Sequence, residues 1–335
     1  MKVYRDISDI EYRTDRAITV GSFDGVHSGH KDLLNELTSV SKRDGLSSFV
    51  VTFDPHPQMF FNCQQTSPIP FPLLTTLEEK LSIIDLLGVD EVYVAKFDAK
   101  LANTNYYEFI TDILLAKIGF SVILVGDKHS FGKDKLGNYE VLKDIRNDTI
   151  HELKPLFEII KINRFMMDFI RVSSTLIRQV LRYRSVEIVN TLLGYNYFII
   201  GKVVKGKGIG RIIGFPTANI EVELNKEIPK NGVYVSTIDF LGSRYRSVTN
   251  IGVRPTMNSG TIKPVIEVHI LNFAGDLYGL NVVLSFNKFL RDEKKFASIE
   301  YLVKQIEKDV ADTISYFDTN SGEGSPTLSL SHLFD

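Results

Sequence analysis

The first half of the chain alternates short apolar runs with amphipathic stretches. Four runs are rich in β-branched and aromatic residues, as strands are, and they cover residues 17–21, 48–53, 91–94 and 122–125. The spacing between them predicts helices over residues 31–40, from the Thr76 and Glu79 capping-box pair to about Leu87, and over 106–117. Strands separated by helices favour a parallel sheet with right-handed crossovers. We expect a ligand site beyond the carboxyl ends of these strands.

The pattern changes near residue 185. Strand-like runs punctuated by Gly, Pro and Asn follow, at residues 198–204, 233–238, 265–271 and 282–286. Several short strands with turn signals between them predict an antiparallel barrel or sandwich. Apolar residues then recur along one face of a predicted helix from about Glu293 to Ile314.

The length agrees with two domains of different class. At a prior of ~150 residues per domain, a chain of 335 residues predicts two. We place an α/β domain at residues 1–185 and a β domain at 186–317, with the boundary between residues 184 and 197. Residues 318–335 include a stretch rich in Ser and Gly and are predicted to be a poorly ordered tail.

Charge and cysteine content exclude several classes. The chain has 39 Lys and Arg against 41 Asp and Glu, so nothing attracts it globally to nucleic acid or to an anionic membrane. The single cysteine, Cys63, excludes an intramolecular disulfide framework and a multi-cysteine zinc site. No secretory signal is visible, and no apolar run reaches the ~20 residues of a membrane span. We expect a cytoplasmic monomer or weak homo-oligomer with small-molecule substrates, and no nucleic-acid or membrane partner.

A candidate phosphate site follows the first predicted strand, where residues 21–30 read GSFDGVHSGH. Glycines let the backbone approach a phosphate, and the N-terminus of the next helix attracts anions. His27 and His30 are three positions apart, so both imidazoles could reach one phosphoryl group from the same helical face. A lone pair of histidines is usually structural, but the glycine-rich strand-to-helix context favours the phosphate site.

Two further segments of the first half carry candidate ligands. Ser174 and Thr175 share a helical face with Arg178, where hydroxyls and a guanidinium could hold phosphate oxygens. An ordinary serine N-cap with a surface arginine is the alternative. Asp54 and Pro55 follow the second strand at the edge where ligands are expected, although the prolines of this DPHP segment could simply end the strand.

The second half has a glycine-rich segment, KGKGIGR, at residues 205–211. Alternate glycines can present backbone amides to phosphate, and Lys207 and Arg211 add positive charge. The segment is neither a Walker A loop nor a dinucleotide fingerprint. By itself it is compatible with a flexible basic loop.

Three polar residues that come later in the second half are further candidates. Thr217 and Asn219 project from one face if their segment is extended, and their neutral oxygens suit Mg²⁺ bound to ATP phosphates. Glu267 is a carboxylate in an otherwise apolar strand, and facing a closed pocket it would act as a general base toward a hydroxyl. A solvated strand face is the alternative for all three.

The motifs GSFDGVHSGH, VTFDPHP and SSTLIR resemble the nucleotidyltransferase module of bacterial bifunctional riboflavin kinase/FMN adenylyltransferases, or FAD synthetases. The resemblance covers about residues 17–181 and implies a Rossmann-like domain, with helices on both faces of its parallel sheet, that transfers AMP from ATP to FMN. It implies that ATP and its transition state are held by His27, His30, Ser174, Thr175 and Arg178. It also implies nucleotide contacts at Gly21, Phe23, Asp24, Gly29 and Gly126, and flavin contacts at Asp54 and Pro55.

One loop departs from that family pattern. The family has Gly-x-Asp/Asn-Phe-x-Phe-Gly after the strand that ends at Val125, and this chain has Lys128 and His129 at two of those positions. A lysine there could contact phosphate or crowd the nucleotide. A degenerate or regulatory N-terminal domain beside an active kinase is therefore the first alternative.

The motifs GKGIGRIIGFPTANI, NGVYV, NIGVRPT, EVHIL, DLYG and FLRDEKKF resemble the riboflavin kinase module, an antiparallel β-barrel with a C-terminal helix. They occur in the usual order over about residues 198–314, with Met257 where an aromatic residue is common. The resemblance implies that Thr217 and Asn219 bind Mg²⁺, that Glu267 deprotonates the ribityl 5′-hydroxyl of riboflavin, and that Arg291 lies near the flavin. It implies an ATP-covering loop made by Gly206, Lys207, Gly208, Gly210 and Arg211.

Together the two resemblances imply a bifunctional enzyme that converts riboflavin to FMN and FMN to FAD, each with ATP. Besides the kinase-only alternative, a flavin-binding regulator without turnover remains open. A nucleotidyltransferase acting on another phosphate ester is more distant, since the paired histidines do not by themselves set the substrate.

Overall fold

The computed structural model describes residues 1–64, 71–126, 131–133, 136–151, 157–162, 166–167, 170–183, 186–206, 208–255 and 262–320. The chain divides into two units. Unit 1 comprises Met1–Phe71 and Lys80–Val172, and unit 2 comprises Pro72–Glu79 and Ser173–Asp335. The predicted domains 1–185 and 186–317 are continuous in sequence, whereas residues 72–79 belong to unit 2 although they lie within the first predicted range. They remain a prediction for the limits of the functional domains.

Unit 1 contains a six-stranded parallel sheet with strand order β1-β4-β3-β2-β5-β6. Its strands are β1 (Lys2–Tyr4), β2 (Arg16–Val20), β3 (Ser47–Asp54), β4 (Glu91–Lys96), β5 (Val122–Gly126) and β6 (Glu158–Ile162). The predicted parallel sheet is confirmed. Because β2 lies between β3 and β5, the strand order reverses at β2, and ligands of such sheets bind outside the carboxyl ends at this point.

Helices connect the strands of unit 1. They are a short 3₁₀-helix (Ile7–Asp9), α1 (Ser28–Asp44), α2 (Pro57–Gln64), α3 (Leu77–Leu86), α4 (Ala99–Asn103), α5 (Tyr106–Glu108), a π-helix (Phe109–Ile118) and α6 (Tyr139–His151). The predicted helix over residues 106–117 is thus mostly π-helical. A two-stranded antiparallel pair, β7 (Met166–Met167) and β8 (Ile170–Arg171), ends the unit. No helix in the described parts of either unit is long and apolar enough to span a membrane.

A buried ion network holds the amino ends of the unit 1 strands. Arg16, fully buried on β2, donates from Nε and Nη2 to the Glu91 carboxylate on β4 at 3.1 and 3.0 Å. Tyr4 on β1 donates its hydroxyl to the same carboxylate at 2.7 Å. Although burial alone would raise the pKa of Glu91, hydrogen bonds from Arg16, Tyr4 and Ser47 lower it to about 2.

This network predicts an acid-sensitive contribution to stability. The pKa of Glu91 is depressed in the folded protein, so its stabilising effect is present above about pH 4.5 and is lost as the pH falls toward 2. Glu91→Gln leaves buried Arg16 without its anion and should lower the free energy of unfolding by about 3 kcal/mol at pH 7. Urea unfolding at pH 7 and pH 3 measures this effect. The deficit should shrink at pH 3, and a deficit of equal size at both values would contradict the assignment.

Unit 2 contains a closed antiparallel barrel with strand order β10-β13-β12-β11-β14-β9. The barrel, implied by the resemblance, is confirmed. Its strands are β9 (Phe198–Val204), β10 (Ala218–Glu221), β11 (Gly232–Phe240), β12 (Ser243–Pro255), β13 (Ile262–Ile270) and β14 (Asn281–Arg291). The helices of the unit are α7 (Ser174–Arg182), α8 (Val186–Leu193), α9 (Ile209–Ile212) and α10 (Ile299–Thr319).

Two predictions for the second half were wrong in detail. The last helix begins at Ile299 rather than near Glu293, because Ser298 has the extended N-cap conformation, and it ends at Thr319, inside the predicted tail. Residues 321–335 of that tail lie outside the described residues. Strand β12 was not predicted, since its first half is polar and strongly charged. Arg244 on that strand pairs with buried Asp239 at 2.6 Å, which explains how a charged segment sits within the barrel.

The segment Pro72–Glu79 is joined to the rest of unit 2 by its last residue, the buried Glu79. The predicted capping box is present, with Thr76 N–H donating to Glu79 and Glu79 N–H donating to Thr76. The Glu79 carboxylate also accepts from Lys226 Nζ at 2.6 Å, and both side chains are almost fully buried. This ion pair therefore fixes the start of α3 within unit 2.

Candidate active sites

The loop after β2 has an unusual backbone. Phe23 and Val26 have φ angles of 49° and 31°, and Gly25 between them has 79°. The Phe23 ring is buried and lies over Gly21, where an added Cβ would stand 2.9 Å from the ring. Since non-glycine residues rarely adopt positive φ, this conformation is consistent with a loop shaped for a ligand. Asp24 is also buried in it.

The loop brings the two predicted histidines together. His27 is the N-cap of α1, and its Nδ1 accepts the backbone N–H of His30 at 3.3 Å. The two imidazole rings stack with centroids 3.7 Å apart, and the Phe23 ring meets His30 edge-on at 5.3 Å. Gly29 lies in the first turn of the same helix.

The environment of His27 determines its protonation. Burial lowers its pKa to about 4, and the positive charge of Arg171 acts in the same direction. The ring is therefore neutral near pH 7. Because Nδ1 accepts a backbone N–H, the ring proton is assigned to Nε2, which makes Nε2–H the donor available to a phosphate oxygen. His27 is thus a neutral imidazole rather than a cation near pH 7.

Asp54 and Pro55 stand at the end of β3, beside the strand that leads into the histidine loop. A cluster of phenylalanine rings follows them. The Phe97 ring packs against three others with centroids 5.6–5.8 Å apart, and these are Phe53, Phe60 and Phe61. Part of the cluster is accessible, since Phe61 is 39% exposed. This aromatic surface was not predicted from the sequence, although apolar rings beside an expected flavin contact are a signal that could have indicated it.

The segment Ser-Thr-Leu-Ile-Arg opens α7, in unit 2. The helix is capped by Ser173, whose side chain accepts the N–H of Leu176, so Ser174 is not the N-cap. Thr175 is exposed, whereas Arg178 is buried and donates from Nε to the Pro72 carbonyl at 2.7 Å. The two hydroxyls and the arginine lie in the first turns of the helix, and their predicted common phosphate-binding face stays a prediction.

In unit 2, four predicted site residues line one cavity of about 360 Å³. They are Gly210, Thr217, Glu267 and Arg291. The lining also includes apolar side chains from the barrel and from α10, among them Val233, Leu302 and Ile306. A largely apolar cavity with a few converging polar groups is the usual form of a small-molecule site.

The carboxylate of this cavity sits in a row of polar residues. Glu267 on β13 is paired with Asn219 on β10 and with Asn250 on β12. Directly opposed residues project from the same face of a sheet, so the three side chains form a row across neighbouring strands. Its neighbours along the strand, Ile266 and Val268, point to the other face and are buried. The alternation places Glu267 on the cavity side.

The glycine-rich segment packs directly onto the proposed metal ligands. A Cβ added at Gly206 would clash with the Asn219 side chain, and one added at Gly210 would clash with the Phe215 carbonyl oxygen and lie 3.3 Å from Thr217 Oγ1. Gly208 has φ of 71° and caps α9, which the sequence analysis did not predict. Arg211 is exposed on this short helix. Glycine is therefore required at position 206 by the Asn219 side chain and at position 210 by the Phe215 carbonyl, two residues before Thr217.

Arg291 is anchored rather than mobile. Its Nη2 donates to Asp309 Oδ2 on α10 at 2.6 Å, and its Nε donates to Oδ1 at 2.9 Å. Gln305 donates to the same carboxylate, and Asp309 is 3% exposed. The pair fixes the guanidinium at the cavity wall and joins β14 to α10.

Removing this anion should therefore weaken unit 2. Asp309→Ala deprives the half-buried Arg291 of its carboxylate partner, and we expect a loss of about 3 kcal/mol in the free energy of unfolding. The matched control is Asp318→Ala, also on α10. It breaks an exposed ion pair with Arg246 on β12 and should cost less than about 1 kcal/mol. Urea unfolding midpoints compare the two. Equal shifts would show that the Arg291 pair contributes no more than a surface pair.

Some predicted positions cannot be placed. Lys128, His129, Lys207 and Met257 lie outside the described residues, so the loop that departs from the family pattern stays a prediction. Gly126, which precedes that loop, ends β5 at the point where the strand order reverses. Among the described residues, no cluster of three or more His, Cys, Asp and Glu side chains could hold a metal ion.

Two family models match the chain, one over each half. The FAD synthetase model matches residues 9–176, and the riboflavin kinase model matches residues 193–317. A bifunctional riboflavin kinase/FMN adenylyltransferase of Escherichia coli (strain K12) is 35% identical over 321 residues, which are 95% of this chain and 98% of that protein. The chain belongs to the bifunctional riboflavin kinase/FMN adenylyltransferase family. The family resemblance stated from the motifs is confirmed.

Further relatives of the family agree in length as well as in sequence. The protein of the same description from Buchnera aphidicola subsp. Schizaphis graminum is 34% identical and covers 95% of this chain and 99% of its own. The crystal structure of a Streptococcus pneumoniae protein, described as a macrolide-efflux protein, superposes with a TM-score of 0.81 at 28% identity. The superposition covers 93% of this chain and 97% of the Streptococcus pneumoniae chain, so both halves of this chain share the architecture of that structure.

Three residues near these sites were missed from the sequence. Asn250 lies inside the NIGVRPT motif of the riboflavin kinase family, and its position opposite Glu267 only became evident from the strand pairing. Asp309 and Lys80 lie in helical patterns where charged residues ordinarily face solvent. Nothing in the local sequence distinguishes them from surface positions.

Proposed function

We propose that the unit 2 cavity phosphorylates riboflavin and that the histidine loop of unit 1 adenylylates the FMN produced. This assigns the two activities of the family to particular residues. The observation that carries the proposal is the convergence of Glu267, Thr217 and the glycine-rich loop on one cavity of about 360 Å³. The neutral His27 donor at the N-terminus of α1 supports the assignment of adenylyl transfer to unit 1.

In the kinase step, Glu267 accepts the proton of the ribityl 5′-hydroxyl while the hydroxyl oxygen attacks the γ-phosphorus of ATP. The bond from the γ-phosphorus to the β–γ bridging oxygen breaks, and ADP leaves. The backbone amides of the glycine-rich segment are proposed to hold the phosphates. Arg291, fixed by Asp309, would lie at the flavin end of the cavity.

Mg²⁺ is the expected metal of the kinase step. The neutral oxygens of Thr217 and Asn219, both held against the glycine loop, fit a cation that is bound mainly by ATP phosphates. When bound, Mg²⁺ neutralises the charge that develops on the phosphates. Thr217 and Asn219 would hold the cation, and Asn219 lies directly opposite Glu267 in the strand pairing.

In the adenylyl-transfer step, an FMN phosphate oxygen attacks the α-phosphorus of ATP, and pyrophosphate leaves. We assign His27 Nε2–H and the amides at the N-terminus of α1 to the oxygens of that phosphorus. For Ser174, Thr175 and Arg178, at the start of α7 in unit 2, the contact with ATP that the family resemblance implies stays a proposal. The phenylalanine cluster after β3, beside Asp54 and Pro55, offers the apolar surface that a flavin ring requires.

The test is a product assay. Purified protein with riboflavin, ATP and Mg²⁺ should yield FMN and then FAD, separated by chromatography, and chelation of Mg²⁺ should stop FMN formation. FMN that accumulates without FAD, even when FMN is supplied, would select the kinase-only alternative. Absence of both products would reject the proposal in favour of a flavin-binding regulator.

A further inference from the structure

Lys80 is a buried cation that the two reactions leave unexplained. It lies in the first turns of α3 and is only 5% exposed, which is rare for a lysine. Its Nζ donates to Thr52 Oγ1 at 2.9 Å, to the Ser22 carbonyl at 3.2 Å and to the Phe53 carbonyl at 3.3 Å. An ammonium group has three protons, and these three acceptors match them.

The acceptors belong to the two segments that carry the nucleotide and flavin assignments of unit 1. Ser22 opens the histidine loop after β2, and Phe53 immediately precedes Asp54 at the end of β3. The Thr52 hydroxyl also donates to the Ser22 carbonyl, at 3.4 Å. Lys80 is therefore the centre of a hydrogen-bonded junction between the ends of two adjacent strands.

The charges around Lys80 point to the same place. The groups that act on it are the carboxylates of Asp24, buried in the histidine loop, and Asp54, after β3. On its own helix the neighbouring Glu79 is engaged by Lys226. Two carboxylates beside a triphosphate site would repel ATP, and a buried ammonium between the two loops offsets them.

We propose that Lys80 is a positioning residue for adenylyl transfer, which holds the histidine loop and the Asp54 loop in the mutual arrangement that the reaction needs. The inference rests on the proposed function of unit 1. Lys80 acts through the Ser22 and Phe53 carbonyls and touches no reacting atom. Its loss should reduce turnover of FMN to FAD rather than abolish folding of the unit.

The charge state of Lys80 should affect the pH dependence of FAD formation, which a purely structural lysine would not affect. Burial lowers the pKa of Lys80 to about 8, and the Asp24 and Asp54 carboxylates limit that shift. The protonated form makes the three hydrogen bonds, so kcat/KM for FAD formation should fall above about pH 8. No carboxylate or phosphate ordinarily titrates there, and His27 has lost its proton far below it.

The experiment uses the full chain with FMN and ATP, and follows FAD formation and riboflavin phosphorylation in the same preparation. Lys80→Met should lower kcat for FAD formation by about 100-fold, as expected for a misplaced reacting group, with riboflavin phosphorylation within twofold of the wild type. The alkaline fall of kcat/KM should disappear in this variant. Lys80→Arg, which stays protonated, should keep more activity and also lose the alkaline fall.

A second pair of variants guards against misfolding. Thr52→Val removes one acceptor of Lys80 together with the hydroxyl's own bond to the Ser22 carbonyl, and should lower FAD formation by about tenfold. Thr19→Val removes an equally buried strand hydroxyl, bonded to the Leu124 carbonyl, and should leave the rate unchanged.

The outcomes separate the two claims. If the wild type forms no FAD from FMN, the proposed function of unit 1 fails. If the wild type forms FAD and Lys80→Met matches it, or if Thr52→Val and Thr19→Val are equal, the positioning role is wrong. An alkaline fall that persists unchanged in Lys80→Met would also overturn it.

Discussion

Glu267→Gln should reduce FMN formation by about 10²- to 10⁴-fold, the contribution usual for a positioned general base. The substitution keeps the shape of the side chain and its place in the row with Asn219 and Asn250. Only the ability to accept a proton is lost, so kcat should fall while KM for ATP changes little. Steady-state FMN formation, measured by chromatography, gives both constants.

Two further variants make this prediction specific. Glu267→Asp keeps a carboxylate one methylene farther from the substrate and should retain more activity than Glu267→Gln. Glu221→Gln changes an exposed carboxylate near the end of β10 and should have no effect. Wild-type turnover in Glu267→Gln would show that Glu267 is not the general base. An equally low kcat in all three variants would indicate general damage to the barrel.

Loss of the His27 imidazole should lower FAD formation from FMN by about 10²- to 10³-fold, the usual cost of one lost donor to a developing oxyanion. Two roles of the side chain have to be separated, because His27 also caps α1. Asparagine is among the best N-cap residues, whereas alanine is poor. His27→Asn and His27→Ala should therefore lose similar activity.

Stability distinguishes the two variants. His27→Ala should be less stable than His27→Asn by about 1 kcal/mol, since only alanine loses the cap. Riboflavin phosphorylation serves as the internal control and should stay unchanged in both. If His27→Asn formed FAD at the wild-type rate while His27→Ala did not, the histidine would be a cap alone.

Much of the fold followed from periodicity. The alternation of apolar runs and amphipathic stretches predicted the parallel sheet, and turn-punctuated short strands predicted the antiparallel second half. Strand β12 was not predicted because its first half is charged, and the pairing of Arg244 with Asp239 on the adjacent strand β11 becomes evident only from the strand register. The start of α10 was placed too early because the segment before Ser298 is as charged as an exposed helix.

The candidate sites were predicted less completely than the fold. Glycines, histidines and the Thr217–Asn219 pair are recognisable in sequence because their chemistry is local. Lys80 and Asp309 are not, since their importance depends on which carbonyls or guanidinium the fold brings to them. Family motifs supplied the substrates, which no spacing argument could identify.

We infer that one chain holds two separate ATP-dependent sites that act in sequence. The most direct test mixes equal amounts of Glu267→Gln and His27→Ala with riboflavin, ATP and Mg²⁺. Alone, the first variant should form little FMN and the second should stop at FMN. Together they should form FAD, because FMN made by one is adenylylated by the other. FAD formed from riboflavin by either variant alone at the wild-type rate, or a mixture that accumulates FMN without FAD, would contradict the account.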